Sequence, residues 1–230
     1  MGSVDELKAR LHELARISLE FRADYTPVPH FATEMHGYSE AEIFLAVCKR
    51  VQPPEFARDQ AEFMRFLGPE VCPKILAVDT DSYCMEYLYP AEYSIDSLVM
   101  IERFLEKYVW SRGVIHGDPT LDNVLMTKDG FMRLTDPIPA KWLRKPSIKA
   151  VDHGKILQSL LGWEVVLRGA DLIQYEFPWF MSIDISSARD AIFWAKVALE
   201  RIAKRDIFDA ATQWATRVRK GLEELCTLSF

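Results

Sequence analysis

The residues best suited to chemistry lie in one segment, His116-Gly117-Asp118-Pro119-Thr120-Leu121-Asp122-Asn123, which has the form H-x-D-x-x-x-x-N. Thirteen residues after Asn123 comes Asp136, within Leu134-Thr135-Asp136-Pro137. Magnesium takes oxygen ligands and usually keeps several waters, so one carboxylate, one amide oxygen and phosphate oxygens suit it. If Asn123 and Asp136 hold such an ion, Asp118 is left to accept a proton from an attacking hydroxyl. Asp122 reads as a solvated loop acid, and His116 as a packing residue.

This arrangement needs a loop between a helix and a hairpin. The loop aims a carboxylate and an amide into one cleft, and the hairpin returns the chain with the second carboxylate. The pattern supplies those elements. Residues 94–112 are helical, with Leu98, Ile101, Phe104, Leu105 and Val109 inward. Val124–Met126 and Phe131–Leu134 form a hairpin around the turn Lys128-Asp129-Gly130. Upstream, the spacing predicts a helix over Val4–Ala15, a short strand over Ile17–Phe21, and strands over His30–Met35 and Glu42–Val51. Gly37 and Tyr38 mark a turn. A helix over Glu55–Leu67 follows, then a strand pair, Ile75–Val78 and Tyr83–Leu88. Beyond the hairpin the chain is mainly helical, over about 151–167, 187–204 and 207–225. The fold class expected is α+β, with a small strand-rich part over 1–90, a hinge near Met85–Pro90, and a helical part over 91–230.

Composition narrows the classes. Of 230 residues, 49% are hydrophobic and 27% charged, which suits a globular chain rather than a disordered one. The formal charge of -6 argues against nucleic acid as a partner. No apolar run approaches the roughly 20 residues that span a bilayer, so no membrane segment is expected. The N-terminus is charged and lacks an apolar signal core, which predicts a cytoplasmic protein. Cys48, Cys72, Cys84 and Cys226 are scattered and form no C-x-x-C pair, so buried reduced thiols are expected rather than disulfides or zinc.

The segment His116-Gly117-Asp118 through Asn123, with Thr135-Asp136-Pro137, resembles the kinase-fold superfamily, most closely its aminoglycoside phosphotransferase and choline kinase branch. That branch writes H-G-D-x-x-x-x-N where protein kinases favour H-R-D, and I-D-P-like text where they have D-F-G. The resemblance covers about 34–160 and implies a two-lobed, protein-kinase-like fold that uses ATP or GTP with Mg2+. It makes Asp118 the base, and Asn123 and Asp136 the metal ligands. It makes Lys49 the lysine that holds the nucleotide phosphates, paired with Glu62 on the next helix. Glu86, Tyr87 and Leu88 become the hinge whose backbone bonds adenine, and Asp152 a brace for the catalytic loop. The acceptor implied is the hydroxyl of a small molecule of aminoglycoside, sugar or amino-alcohol type.

Two departures stand beside this resemblance. No glycine-rich loop precedes Lys49; a short turn with Ser39 could cover the phosphates instead. Only fifteen residues, Pro137 to Val151, separate Asp136 from Asp152, which leaves little room for an activation segment. A kinase-fold binding module and a protein kinase are the alternatives. Trp163, Tyr175, Phe177, Trp179 and Phe180 are candidates for an acceptor pocket, and equally for core packing. Lys141, Arg144, Lys145 and Lys149 read as a solvated face.

Overall fold

Antiparallel pairing in the first third of the chain fixes where the site can form. The computed structural model describes residues 4–21, 33–34, 45–143, 149–169, 185–204 and 209–227. Strands β1 (Thr33–Glu34), β2 (Leu45–Arg50), β3 (Ile75–Val78) and β4 (Ser82–Glu86) form one sheet in the order β1-β2-β4-β3. In β4, Tyr83 and Met85 are buried, and the register sets Lys49 opposite Tyr83 and Val47 opposite Met85. Directly opposed residues share a sheet face, so Val47, Lys49, Tyr83 and Met85 point together toward the interior. Arg50 points the other way and pairs with Asp81, Nε to Oδ2 at 2.9 Å.

The same register sets Cys48 opposite Cys84, and the two are joined in a disulfide across 36 residues. This corrects the expectation of four reduced thiols. Cys72 is buried and free, and Cys226 is exposed and free. Sequence spacing did not bring the pair together; the strand register did.

The helix between β2 and β3, α2 (Pro54–Leu67), starts with proline in its first turn, where the missing N–H costs nothing. Ala57, Gln60, Ala61 and Met64 form its buried face. Before the sheet, α1 (Val4–Arg16) buries Leu7, Leu11 and Ala15. Ile17–Phe21 is a 3-10 turn rather than the expected strand. The alternation is inverted there: Ser18 is buried, its hydroxyl donating to the Ala15 carbonyl at 2.6 Å, while Leu19 is 45% exposed. A free carbonyl at the helix end outweighed the apolar period.

A second sheet has the order β5-β6-β7, formed by β5 (Tyr89–Pro90), β6 (Val124–Met126) and β7 (Met132–Leu134). It is tied to the turn that follows α2 by the bond from Leu134 N–H to the Val71 carbonyl, 2.7 Å. Helix α3 (Ile95–Tyr108) is capped by Ser94, whose Oγ accepts from the Ser97 amide at 3.2 Å. A short 3-10 turn, Trp110–Arg112, leads into the loop that carries His116.

Among the described residues the remaining helices are α4 (Lys149–Leu160), α5 (Trp163–Arg168), α6 (Ile185–Ala203) and α7 (Asp209–Thr227). Helices α4 and α6 meet closely at Gly154, where an added Cβ would lie 2.6 Å from Trp194 Cβ and 2.7 Å from the Ala195 nitrogen. Trp214 of α7 is fully buried and packs on Trp163, with ring centroids 5.7 Å apart. One cluster of buried apolar side chains joins α1, α2, the hairpin and the later helices. None of the described helices is long and apolar enough to cross a membrane. The turn expected at Gly37, Tyr38 and Ser39, the aromatics Tyr175, Phe177, Trp179 and Phe180, and Arg144 and Lys145 lie outside the described residues.

Candidate functional site

Lys49 leaves the interior face of β2 and reaches Asp136, which follows β7. Its Nζ lies 2.6 Å from Oδ1 and 2.5 Å from Oδ2. Asp136 has φ of 60°, a left-handed backbone that is uncommon for any side chain but glycine, and Pro137 follows it. Such a conformation persists only where the surroundings hold it, and it gathers at functional sites. Here the surroundings include Gln60, whose Nε2 donates to the Pro137 carbonyl at 3.0 Å. The Tyr83 hydroxyl lies 2.9 Å from Gln60 Oε1 and 3.3 Å from Asp136 Oδ1. Burial, with the Asp136 charge beside it, pushes the Tyr83 phenol far above its ordinary range, so it stays a hydroxyl.

Glu62 does not take the place the resemblance implies. It lies on the exposed face of α2, and Lys49 pairs with Asp136 instead. The buried face of α2 carries Gln60 toward the site, two residues earlier. Because helix positions two apart do not share a face, only one of the pair could point inward.

The loop that carries Asp118 is fixed from beneath. Asp152, fully buried on α4, accepts from the His116 amide at 3.0 Å, the Gly117 amide at 2.6 Å and Trp110 Nε1 at 2.8 Å. Burial pushes its carboxyl up to about 6, and three N–H donors hold it down. At neutral pH it is a carboxylate, since donors alone face it. Burial holds the His116 imidazole down to about 4, so it is neutral. Its Nδ1 accepts from the Asp118 amide at 3.3 Å. Gly117 has φ of 85°, and an added Cβ would meet Ile138 Cβ at 3.0 Å. The glycine thereby admits the strand of chain that follows Asp136, whose Ile138 N–H bonds the His116 carbonyl at 2.8 Å.

A second buried carboxylate supports the other end of the loop. Glu164 of α5 accepts from Ser159 Oγ at 2.8 Å and from the Asp122 amide at 3.3 Å. Ser159 Oγ in turn accepts from the Leu121 amide at 3.1 Å. Burial pushes the Glu164 carboxyl up to about 7, and its Oε2 has no hydrogen-bond partner among the described residues. The sequence carried no mark of this residue; a glutamate beginning a short helix is common.

Asn123 is buried, and its Nδ2 donates to the Asp118 carbonyl at 2.8 Å, leaving Oδ1 as its remaining acceptor. Asn123 and Asp136 line one cavity of about 200 Å3 with Val47, Lys49, Thr135, Glu86, Tyr87 and Leu88. Tyr87 and Leu88 lie outside both sheets. The Glu86 amide is already bonded to the Lys74 carbonyl at 2.9 Å, so Tyr87 and Leu88 are the better backbone contacts. Arg168 and Asp122 form an ion pair at the cavity edge. Asp118 lines a separate cavity of about 130 Å3 with Ile138, Leu143, Lys155, Trp194 and Arg201. Lys155 Nζ is 2.8 Å from Asp118 Oδ1 and 2.7 Å from Gln158 Oε1. The segment between the cavities and α2 is pinned by Asp59, which accepts from Trp142 Nε1 at 2.7 Å and pairs with Lys141 at 2.5 Å.

The donor set fits magnesium in one way only. No group of three or more His, Cys, Asp or Glu that could hold a metal occurs among the described residues. One carboxylate and one amide oxygen could hold magnesium together with phosphate oxygens and water, the usual arrangement for a metal that arrives with a nucleotide. Comparison of the sequence with protein-family models and with curated proteins finds no match to either.

Proposed function

We propose that this chain is a phosphotransferase of two-lobed, protein-kinase-like fold, with 1–90 as the smaller lobe and 91–230 as the larger. It would move the terminal phosphoryl group of ATP or GTP to the hydroxyl of a small molecule, in the cytoplasm. The observation that carries this reading is that Lys49, Asn123 and Asp136 line one cavity with residues 86–88, while Asp118, five residues before Asn123 in the same loop, lines a second one. Lys49 would pair with nucleotide phosphate, and Tyr87 and Leu88 would offer backbone groups to the base. Asp136 and Asn123 would hold magnesium, which when bound neutralises phosphate charge. Asp118 would orient the hydroxyl and take its proton, with Lys155 fixing one carboxylate oxygen. Most of the rate would come from positioning and charge.

One observation favours a second reading, a binding module without catalysis: the Lys49 ammonium covers both oxygens of Asp136, where a metal would sit. A protein kinase is disfavoured, because the segment after Asp136 is pinned to α2 through Trp142, Lys141 and Asp59. Calorimetry separates the first two readings. The phosphotransferase should bind ATP at least about tenfold more tightly with magnesium than without, and Asp136→Ala should lose that gain. Equal binding with and without magnesium, unchanged in Asp136→Ala, would remove the metal role and favour the module.

A further inference from the structure

The cavity beside Asp118 has a charge pattern of its own. Trp194, Val197, Ala198 and Arg201 line it from α6 at spacings of three, four and seven, so they share one helix face. Val151 and Lys155 line it from α4, four residues apart. Each helix therefore offers apolar surface and one cation. Asp118 is the only acid among the described residues of the lining, and Lys155 forms an ion pair with it at 2.8 Å. Arg201 is exposed, and its side chain makes no hydrogen bond or ion pair with any described residue.

On the reading proposed above, we infer that the acceptor is a hydroxy acid: a compact molecule with an apolar body, one hydroxyl and one carboxylate. The apolar body lies against Trp194, Val197 and Ile138, and the carboxylate meets Arg201, whose planar fork matches it. The hydroxyl lies at Asp118. In the transfer step the hydroxyl oxygen bonds to the terminal phosphorus, its proton passes to the Asp118 carboxylate, and the bond to the departing nucleoside diphosphate breaks. A polycationic aminoglycoside does not fit the described lining, because each ammonium needs an acid and the one acid there is already paired. The choice is one of charge, since the apolar walls alone would accept either class.

Three probes of one skeleton test this: 3-phenyllactate, its neutral amide 3-phenyllactamide, and the cationic 1-amino-3-phenylpropan-2-ol. Their binding is measured by calorimetry without nucleotide, on the wild-type chain and on Arg201→Ala. Phenyllactate should bind about tenfold more tightly than the amino alcohol, with the amide between, and Arg201→Ala should erase most of that difference. Equal binding, preference for the amino alcohol, no binding of any probe, or a preference that survives Arg201→Ala would overturn the inference. A second arm adds magnesium and ATP. Phenyllactate that binds with the predicted preference but gains no phosphoryl group would uphold the ligand class and count against the transferase. Preferential phosphorylation of the amino alcohol would do the reverse.

Discussion

Lys49 of β2 and Asp136, 87 residues apart, meet with the ammonium on both carboxylate oxygens, at 2.6 and 2.5 Å. An ammonium held this way is a ready partner for phosphate, and a nucleotide bringing a metal would have to share or displace it. A charged hydrogen bond is worth about 1.5–3 kcal/mol, so Lys49→Met should weaken ATP binding roughly tenfold to a hundredfold. Titration calorimetry with magnesium present measures this, and undiminished affinity would remove Lys49 from the phosphate site.

The α2 helix gives a sharper contrast. Gln60→Ala removes the partner of the Pro137 carbonyl and the nearer of the two partners of the Tyr83 hydroxyl, and should cost about 1–3 kcal/mol of stability. Glu62→Ala changes an exposed side chain and should stay within about 0.5 kcal/mol. Urea unfolding of the two variants checks the pair; a larger loss at Glu62 would put the wrong face of α2 toward the site.

Glu164 predicts a pH dependence. Its carboxyl stands at about 7 in the folded chain against an ordinary 4.5, so the folded state binds the proton more tightly. Stability from this group is therefore full below about pH 4.5 and declines as pH rises to about 7. Glu164→Gln keeps an oxygen acceptor for Ser159 and the Asp122 amide without the charge. Relative to wild type, it should gain up to roughly 3 kcal/mol between those pH values. Denaturation at pH 5 and pH 8 reads the difference, and parallel curves for the two proteins would contradict it.

The Cys48–Cys84 bond closes a 36-residue loop, and Cys48 is exposed to reductant. Reduction should lower stability by about 2–4 kcal/mol through the freed unfolded chain. In a reducing compartment the pair would be open, so cytoplasmic residence predicts a thiol form with this lower stability. Melting curves with and without dithiothreitol check the shift, and coincident curves would contradict it.

Much of this was legible from the chain, and the exceptions have physical causes. The helix, loop and hairpin around 94–134 followed from apolar spacing and a turn group, which are local properties. Asp118, Asn123 and Asp136 stood out by residue type and separation. The resemblance implied Glu62, and Gln60 carried no signal of its own, because sequence order cannot say which of two nearby helix positions faces inward; burial decides it. The Cys48–Cys84 bond needed the register of two strands, set by the burial of Tyr83 and Met85. Ile17–Phe21 read as a strand because its alternation ignored the carbonyl that Ser18 satisfies. Glu164, Ser159 and Lys155 act on the loop from α4 and α5, and nothing near 116–123 announces them.

The central claim is that Asp118 accepts a proton from a hydroxyl that takes phosphate from a nucleotide held by Lys49, Asn123 and Asp136. The most direct measurement incubates a small-molecule extract with magnesium, ATP and either wild-type protein or Asp118→Asn, and follows products by mass spectrometry. The account predicts a compound heavier by one phosphoryl group with wild type. It predicts formation slowed roughly 10²- to 10⁴-fold in the variant, with nucleotide affinity nearly unchanged. A product that forms equally fast with Asp118→Asn, or no phosphorylated product with wild type, would contradict it.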